Sequence, residues 1–223
     1  MDEPRLVVFD MAGTTVKDKG DVADAFLVAL REHGIEVTPE QLSGVRGSSK
    51  REAVLHFIPE GADRVSRAEM VYNSFREHLA HFYSTGGVES VEGAEATFSW
   101  LKRRGIGVAL DTGFDRELTS LLVSSLGWER GVVDVVVCGD DVRRGRPAPD
   151  LIFRAMEAAG VGEARQVMNV GDTMLDLQAG HNAGVRWNVG VLSGAHGRQL
   201  LEREPHTHLL DSVAGLPGLW PAA

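Results

Sequence analysis

The sequence predicts an α/β fold: a parallel sheet covered by helices on both faces and interrupted by a helical insertion. Short apolar runs at 6–9, 107–110, 132–138, 166–170 and 186–191 read as strands. Helical patterns separate these runs, and that alternation implies a parallel sheet. Residues 10–106 lie between the first two strands, too many for a simple crossover, and they too read as helical.

Within that interval Val22, Phe26, Ala29 and Leu30 fall at helical spacing, and Gly34 suits a stop. Thr38-Pro39-Glu40-Gln41 has the form of a capping box with proline at the first helical position. Ser49 to Glu52 and Ser66 to Glu69 read as two further boxes. The expected organisation is a Rossmann-like core from 1–15 and 89–223, with a small helical cap over 16–88 and Gly86-Gly87 as a return hinge. A cap at the edge of a sheet that carries a site is well placed to act as a lid.

The chain has 223 residues, 43% hydrophobic and 25% charged, enough to bury a sizeable core. No apolar run approaches the roughly 18 residues that cross a bilayer. The N-terminus lacks the basic and apolar regions of a secretory signal, so no membrane partner or export is expected. A lone cysteine, Cys138, permits no internal disulfide and points to a reducing cytoplasm. At the end of "VVDVVVC" it reads as a buried strand thiol. A net charge of −9 and a pI near 5.4 argue against nucleic acid as a partner. A local basic cluster, "RRGRP" at 143–147, leaves room for a small anionic substrate.

Ligands of such sheets bind beyond the carboxyl ends of the strands. Asp10, Asp111, Asp140 and Asp172 all stand at such ends and should converge on one crevice. In "FDMAGTT" a donor-rich turn that includes Ala12 and Gly13 follows Asp10, the pattern of an anion nest. "LDTG" offers the Thr112 hydroxyl and the Gly113 amide, "GRPAPD" offers Arg146, and "VGDTMLD" offers Asp172 and Asp176. Carboxylates that can grip a hard cation thus meet donors that can grip a phosphoryl group. Mg²⁺ prefers oxygen ligands and often bridges carboxylate to phosphate, and an aspartate can accept a phosphoryl group.

In order and type these residues resemble the four motifs of the haloacid dehalogenase superfamily, over essentially the whole chain. The resemblance implies that Asp10 is the nucleophile, Thr112 the second-motif hydroxyl, Arg146 the third-motif cation, and Asp172 with Asp176 the fourth-motif acids. It implies Mg²⁺ held by Asp10, Asp172 and the Ala12 carbonyl with Asp176 close by, and a homodimer paired through the caps. Most members carry an acid two residues after the nucleophile and a lysine in the third motif. Here the positions hold Ala12 and Arg146, and both departures resemble the phosphonoacetaldehyde hydrolase branch with its D-x-A-G-T-T motif.

An alanine fits one chemistry. A general acid is worth about 10²–10⁴-fold when the leaving group is an alkoxide. When a carbon–phosphorus bond breaks, the need is instead for an electron sink on carbon, which a lysine imine supplies. Lys50, in "GVRGSSKREAV", stands at the expected start of a helix capped by Ser49, with Arg46 and Arg51 nearby. Helix dipole and neighbouring cations should both lower its pKa, and a stripe shared with Val54 and Phe57 should turn it inward. Noncovalent anion binding and a solvated lysine are the other readings of Lys50.

The expected function is Mg²⁺-dependent cleavage of a 2-oxoalkylphosphonate such as phosphonoacetaldehyde. The alternatives are a phosphate-monoester phosphatase, a sugar phosphomutase, or a non-catalytic phosphate-binding relic. His206 and His208 read as alternating residues of a surface strand, His196 as a residue bordering the site, and Arg143 with Arg144 as a solvated turn.

Overall fold

The computed structural model describes residues 3–129 and 131–220. Of the expected core, residues 1, 2, 130 and 221–223 lie outside the described residues. Among the described residues six parallel strands form one sheet: β1 (Leu6–Asp10), β2 (Gly107–Asp111), β3 (Val135–Val137), β4 (Val167–Gly171), β5 (Trp187–Val191) and β6 (His208–Leu210). Their spatial order is β3-β2-β1-β4-β5-β6. Between β1 and β2 run helices α1 (Asp21–Glu32), α2 (Pro39–Ser43), α3 (Lys50–Phe57) and α4 (Arg64–Gly86). After them come α5 (Ala94–Arg103), α6 (Arg116–Ser125), α7 (Asp150–Ala159) and α8 (Met174–Ala183).

Alternation along β1 divides the interior into two layers. Val7 and Phe9 pack with Phe98, Leu101, Leu118 and Leu122 of α5 and α6. Leu6 and Val8 pack on the opposite face with Leu151, Ile152 and Ala155 of α7 and Ala179 of α8. Both faces of the sheet are therefore covered, and its strands read as nearly unbroken apolar runs.

The edges depart from the sequence expectation. The run 132–138 yields only three strand residues, because β3 is an edge strand paired with β2 alone. Asp134 caps the ladder there by accepting the Val108 N–H through Oδ2 at 2.9 Å. A sixth strand follows the five expected. His208 opens it, whereas His206 precedes it, so the two histidines do not alternate along one strand.

In the insertion, α1 ends at Glu32 with Gly34 in the left-handed region (φ +74°) and the Ile35 N–H donating to the Leu30 carbonyl at 2.9 Å. Thr38 and Gln41 form the expected box. The other two boxes are corrected. Ser49 makes no side-chain capping bond, and Glu52 instead accepts from the Gly145 N–H at 3.3 Å. Helix α4 begins at Arg64 after Asp63, which leaves Ser66 inside the helix donating to the Asp63 carbonyl at 2.8 Å. The two chain crossings between sheet and insertion lie side by side, joined by the Lys17 N–H on the Glu89 carbonyl at 2.9 Å. Gly87, with φ +74°, ends α4 beside them. No described helix is long and apolar enough to cross a membrane.

Candidate active site

The strand order creates the site. β1 and β4 are neighbours although β2 and β3 come between them in the chain, so the topology switches direction there, where such sheets bind ligands. β1 and β2 pair in register with Asp10 opposite Asp111. Asp172 follows the end of β4 directly, and Thr173 caps α8 while accepting from the Asp176 N–H at 3.3 Å. Three strand ends thus deliver four buried carboxylates: Asp10, Asp111, Asp172 and Asp176. Asp140, the other strand-end acid, is exposed and accepts from the Arg116 N–H at 3.1 Å, outside this group.

Arg146 is the buried counter-charge. Its Nη1 donates to Asp10 Oδ1 at 2.7 Å, its Nη2 pairs with Asp111, and its Nε lies 2.9 Å from Asp176 Oδ1. Burial works against this cation, but Asp111, Asp176 and Asp10 outweigh it and push its pKa further up. Asp172 is held separately, accepting from Thr14 Oγ1 at 2.9 Å and from the Ala195 N–H at 2.6 Å.

One guanidinium does not balance four carboxylates. Burial first, then the neighbouring acids, raise Asp10 well above the usual carboxylate range, with Arg146 opposing. Burial raises Asp111 to about 6, and burial with Asp176 raises Asp172 to about 7. Asp111 Oδ2 is buried without a hydrogen-bond partner among the described residues. Asp10, Asp172 and Asp176 each place an oxygen within 4.8 Å of the others. An all-oxygen, anionic donor set of this kind fits a hard divalent cation.

The turn after Asp10 corrects one expectation. The amides of Thr14, Thr15 and Val16 donate to the Met11 carbonyl, and the Gly13 N–H donates to the Val16 carbonyl at 2.7 Å. The Gly13 amide is therefore spent within the turn and does not form a nest. Glycine is required there for space and conformation, since with φ +91° a Cβ would stand 2.5 Å from Asp172 Oδ2. Ala12, by contrast, lines the cavity with Asp10, Thr112, Gly113, Arg146 and Asp172.

Lys50 reaches the same cavity from the insertion. Its backbone N–H donates to the Gly113 carbonyl at 3.2 Å, its Nζ to the Ser48 carbonyl at 3.3 Å, and its ammonium lies 5.4 Å from the centre of the Phe114 ring. The pKa of Lys50 is lowered, as expected, but the principal cause is burial; Arg146 adds to it, while Asp10, Asp18 and Asp176 oppose. Arg51 points elsewhere, pairing with Glu69 and covering the Tyr72 ring at 4.2 Å.

Sequence reasoning missed several supporting residues. The sequence places Asp111 at a strand end without assigning it a role, and only the in-register β1–β2 pairing puts it on Arg146. Asp115 caps α6 and also accepts from Tyr72 Oη at 2.6 Å and pairs with Arg76 Nε at 2.8 Å, so it ties α4 to the loop carrying Thr112 and Gly113. Gly47 packs against Thr173 so closely that a Cβ would stand 2.3 Å from Oγ1. His196 is buried behind the site, where its Nδ1 accepts from the Met174 N–H at 3.0 Å, and burial lowers its pKa. His206, His208, Arg143 and Arg144 take no part, and Cys138 is buried just past β3.

Comparison with known proteins agrees with this geometry. The family model described as haloacid dehalogenase-like hydrolase matches residues 7–189. The phosphonoacetaldehyde hydrolase of Bacillus cereus (strain B4264) is 31% identical over 221 residues, which span 93% of this chain and 82% of the relative. The structure of a phosphonoacetaldehyde hydrolase-like protein from Oleispira antarctica superposes with a TM-score of 0.84 at 22% identity, over 98% of this chain and 91% of that one. A putative beta-phosphoglucomutase from Bacteroides vulgatus superposes with a TM-score of 0.82 at 19% identity, over 98% and 88%. At these identities the two structures establish the shared fold.

Proposed function

This chain belongs to the haloacid dehalogenase-like hydrolases, and from that footing we propose that it cleaves the carbon–phosphorus bond of a 2-oxoalkylphosphonate. One observation carries the reading: the Lys50 amine shares a cavity with Asp10, and Ala12 lines that cavity in place of an acid. The Bacillus relative's name supports the same substrate class.

In the proposed reaction the neutral Lys50 amine adds to the substrate carbonyl and expels water, leaving a protonated imine. An Asp10 carboxylate oxygen attacks phosphorus, and the C–P electron pair moves into the iminium to give an enamine. Protonation on carbon and hydrolysis return Lys50 and a methyl carbonyl product. A second water cleaves the aspartyl phosphate. Arg146 orients Asp10 through Oδ1, while Thr112 and Gly113 face the phosphoryl oxygens. Asp10, Asp172, Asp176 and the Ala12 carbonyl would hold Mg²⁺, which when bound supplies positive charge against the phosphoryl group. The insertion, 16–88, serves as the cap that brings Lys50 over the sheet.

The test is turnover of phosphonoacetaldehyde and 2-oxopropylphosphonate beside a panel of phosphate monoesters and sugar phosphates, with Mg²⁺ present. Cleavage confined to the esters would replace this reading with the phosphatase one. Ala12→Asp adds an anion beside the three acids, Asp10, Asp172 and Asp176, that would hold Mg²⁺. It should lower phosphonate turnover by about tenfold or more while ester hydrolysis holds or rises, because only an alkoxide gains from a proton donor. Faster phosphonate cleavage in that variant would contradict the proposal.

The raised carboxylates give a stability signature. Asp172 is shifted up from 3.8 to about 7, so the metal-free fold binds a proton that the unfolded chain releases. Stability of the metal-free protein should therefore fall as pH rises from about 4 to about 7. Mg²⁺, which competes with that proton, should raise the melting temperature more at pH 8 than at pH 5.5. Scanning calorimetry with and without Mg²⁺ reads this directly, and an equal shift at both values would count against the acids as its ligands.

A further inference from the structure

Three cations line the cavity: Arg146, Lys50 and Arg46. Arg146 is saturated by Asp10, Asp111 and Asp176. Lys50 has its place in the proposed chemistry. Arg46 is half-buried, and among the described residues its guanidinium makes no ion pair and no hydrogen bond. The other charged group on that side, Asp18, has its Oδ1 engaged by the Gly20 N–H at 3.0 Å. The wall around them is apolar, formed by Val22, Ala23, Phe26, Leu42 and Val45.

The position of Arg46 is fixed by the segment that carries it. The next residue, Gly47, abuts Thr173 and gives its carbonyl to Arg146 Nη1 at 3.3 Å, and the Ser48 carbonyl lies against Gly113. Residues 46–50 thus arch over the carboxylates from the insertion side, with Arg46 and Lys50 on the same arch. A phosphoryl group attacked by Asp10 lies at the sheet end of the cavity, and a carbonyl carbon bonded to Lys50 lies at the arch. The remaining substituent on that carbon faces the arch and its apolar wall.

A hydrogen or methyl substituent gives Arg46 nothing to bind, and a partly desolvated guanidinium without a counter-ion is costly. A carboxylate matches its planar fork with two parallel hydrogen bonds. We infer that Arg46 selects a substrate bearing a carboxylate on the carbonyl carbon, a 3-phosphono-2-oxo acid, whose C–P cleavage yields a 2-oxo acid and phosphate. This rests on the proposed reaction. The atoms balance as before: one water is consumed overall, the phosphoryl group passes through Asp10 to water, and the methylene carbon gains a proton.

The experiment compares 2-oxo-3-phosphonopropanoate with 2-oxopropylphosphonate in the wild type, Arg46→Gln and Arg46→Lys. It adds binding of two unreactive probes, 3-phosphonopropanoate and propylphosphonate, by calorimetry. In the wild type the keto acid should have at least about tenfold the kcat/KM of the ketone, and the carboxylate probe should bind about tenfold tighter than the alkyl one. Arg46→Gln should shrink the keto acid to ketone ratio by about tenfold, to near one, and Arg46→Lys should restore part of it. A ratio that Arg46→Gln leaves unmoved while both substrates weaken together would make Arg46 a phosphoryl clamp and overturn the inference. C–P cleavage without a carboxylate preference in the wild type would also overturn it and leave the reaction standing. Tighter carboxylate binding that depends on Arg46, with no C–P cleavage of either substrate, would uphold Arg46 as the carboxylate site and overturn the reaction instead. The wild-type probe comparison needs no variant to fold.

Discussion

Lys50→Arg is expected to lose C–P cleavage by at least about 10³-fold, the cost of removing a covalent catalytic group, while retaining the fold. Arginine keeps the positive charge over Phe114 but cannot form an imine. A nucleophilic role for the wild-type amine is supported by burial, which lowers its pKa, and by its donating only to the Ser48 carbonyl among the described residues. Borohydride added together with substrate should trap the imine, inactivate the protein irreversibly and leave the reduced organic fragment on Lys50, as read by mass spectrometry. Borohydride alone should do little. An active Lys50→Arg protein with no adduct in the wild type would end the imine mechanism and favour Lys50 as a noncovalent anion binder.

Asp10→Asn is expected to reduce turnover by about 10⁴-fold or more, since an amide oxygen does not accept the phosphoryl group. The same variant should be more stable than the wild type without metal. Asp10 is raised by burial and by Asp176, Asp172 and Asp111, so its ionised form is disfavoured in the fold relative to the unfolded chain. For a raised acid that penalty is present at neutral pH and disappears as pH falls toward the unfolded value. Melting temperature should therefore rise by a few degrees at pH 8, on the scale of about 2–4 °C per kcal/mol for a chain of this size. The gain should vanish near pH 4. Arg146 keeps Asp111 and Asp176 as partners in the variant, so its own burial stays compensated. A lower melting temperature at every pH would show that the Arg146–Asp10 pair outweighs the repulsion.

Much of this site could be read from the chain. Asp10, Thr112 and Asp172 each stand at or just after an apolar run, and Arg146 lies in the polar segment before a helix; parallel strands alternating with helices bring such positions to one edge. What could not be read depended on register and on competition for hydrogen bonds. Asp111 and Asp140 look alike in sequence, yet one is buried on Arg146 and the other is exposed. The Gly13 turn looked like an anion nest, but its amides close on Met11 and Val16. Ser66 and Glu69 have the spacing of a capping box, and a helix that begins earlier, at Arg64, overrides it.

The sequence by itself determined the strand and helix periodicity, the helical insertion after the first strand, and the order of the chemical groups along the chain. These follow from local patterns of apolar, polar and turn residues, each set within a few positions. Only the tertiary structure decided which charges meet. Arg146 is 136 residues from Asp10 and 35 from Asp111, and it joins them because β1 and β2 pair in register beneath it. Lys50 lowers its pKa mainly by burial against the sheet, and not by the helix start that suggested it. Arg46 acquires its proposed role only once the described residues around it are seen to include no counter-ion. Coulombic and desolvation energies depend on distance and burial in space, and the sequence holds those only after the chain has folded.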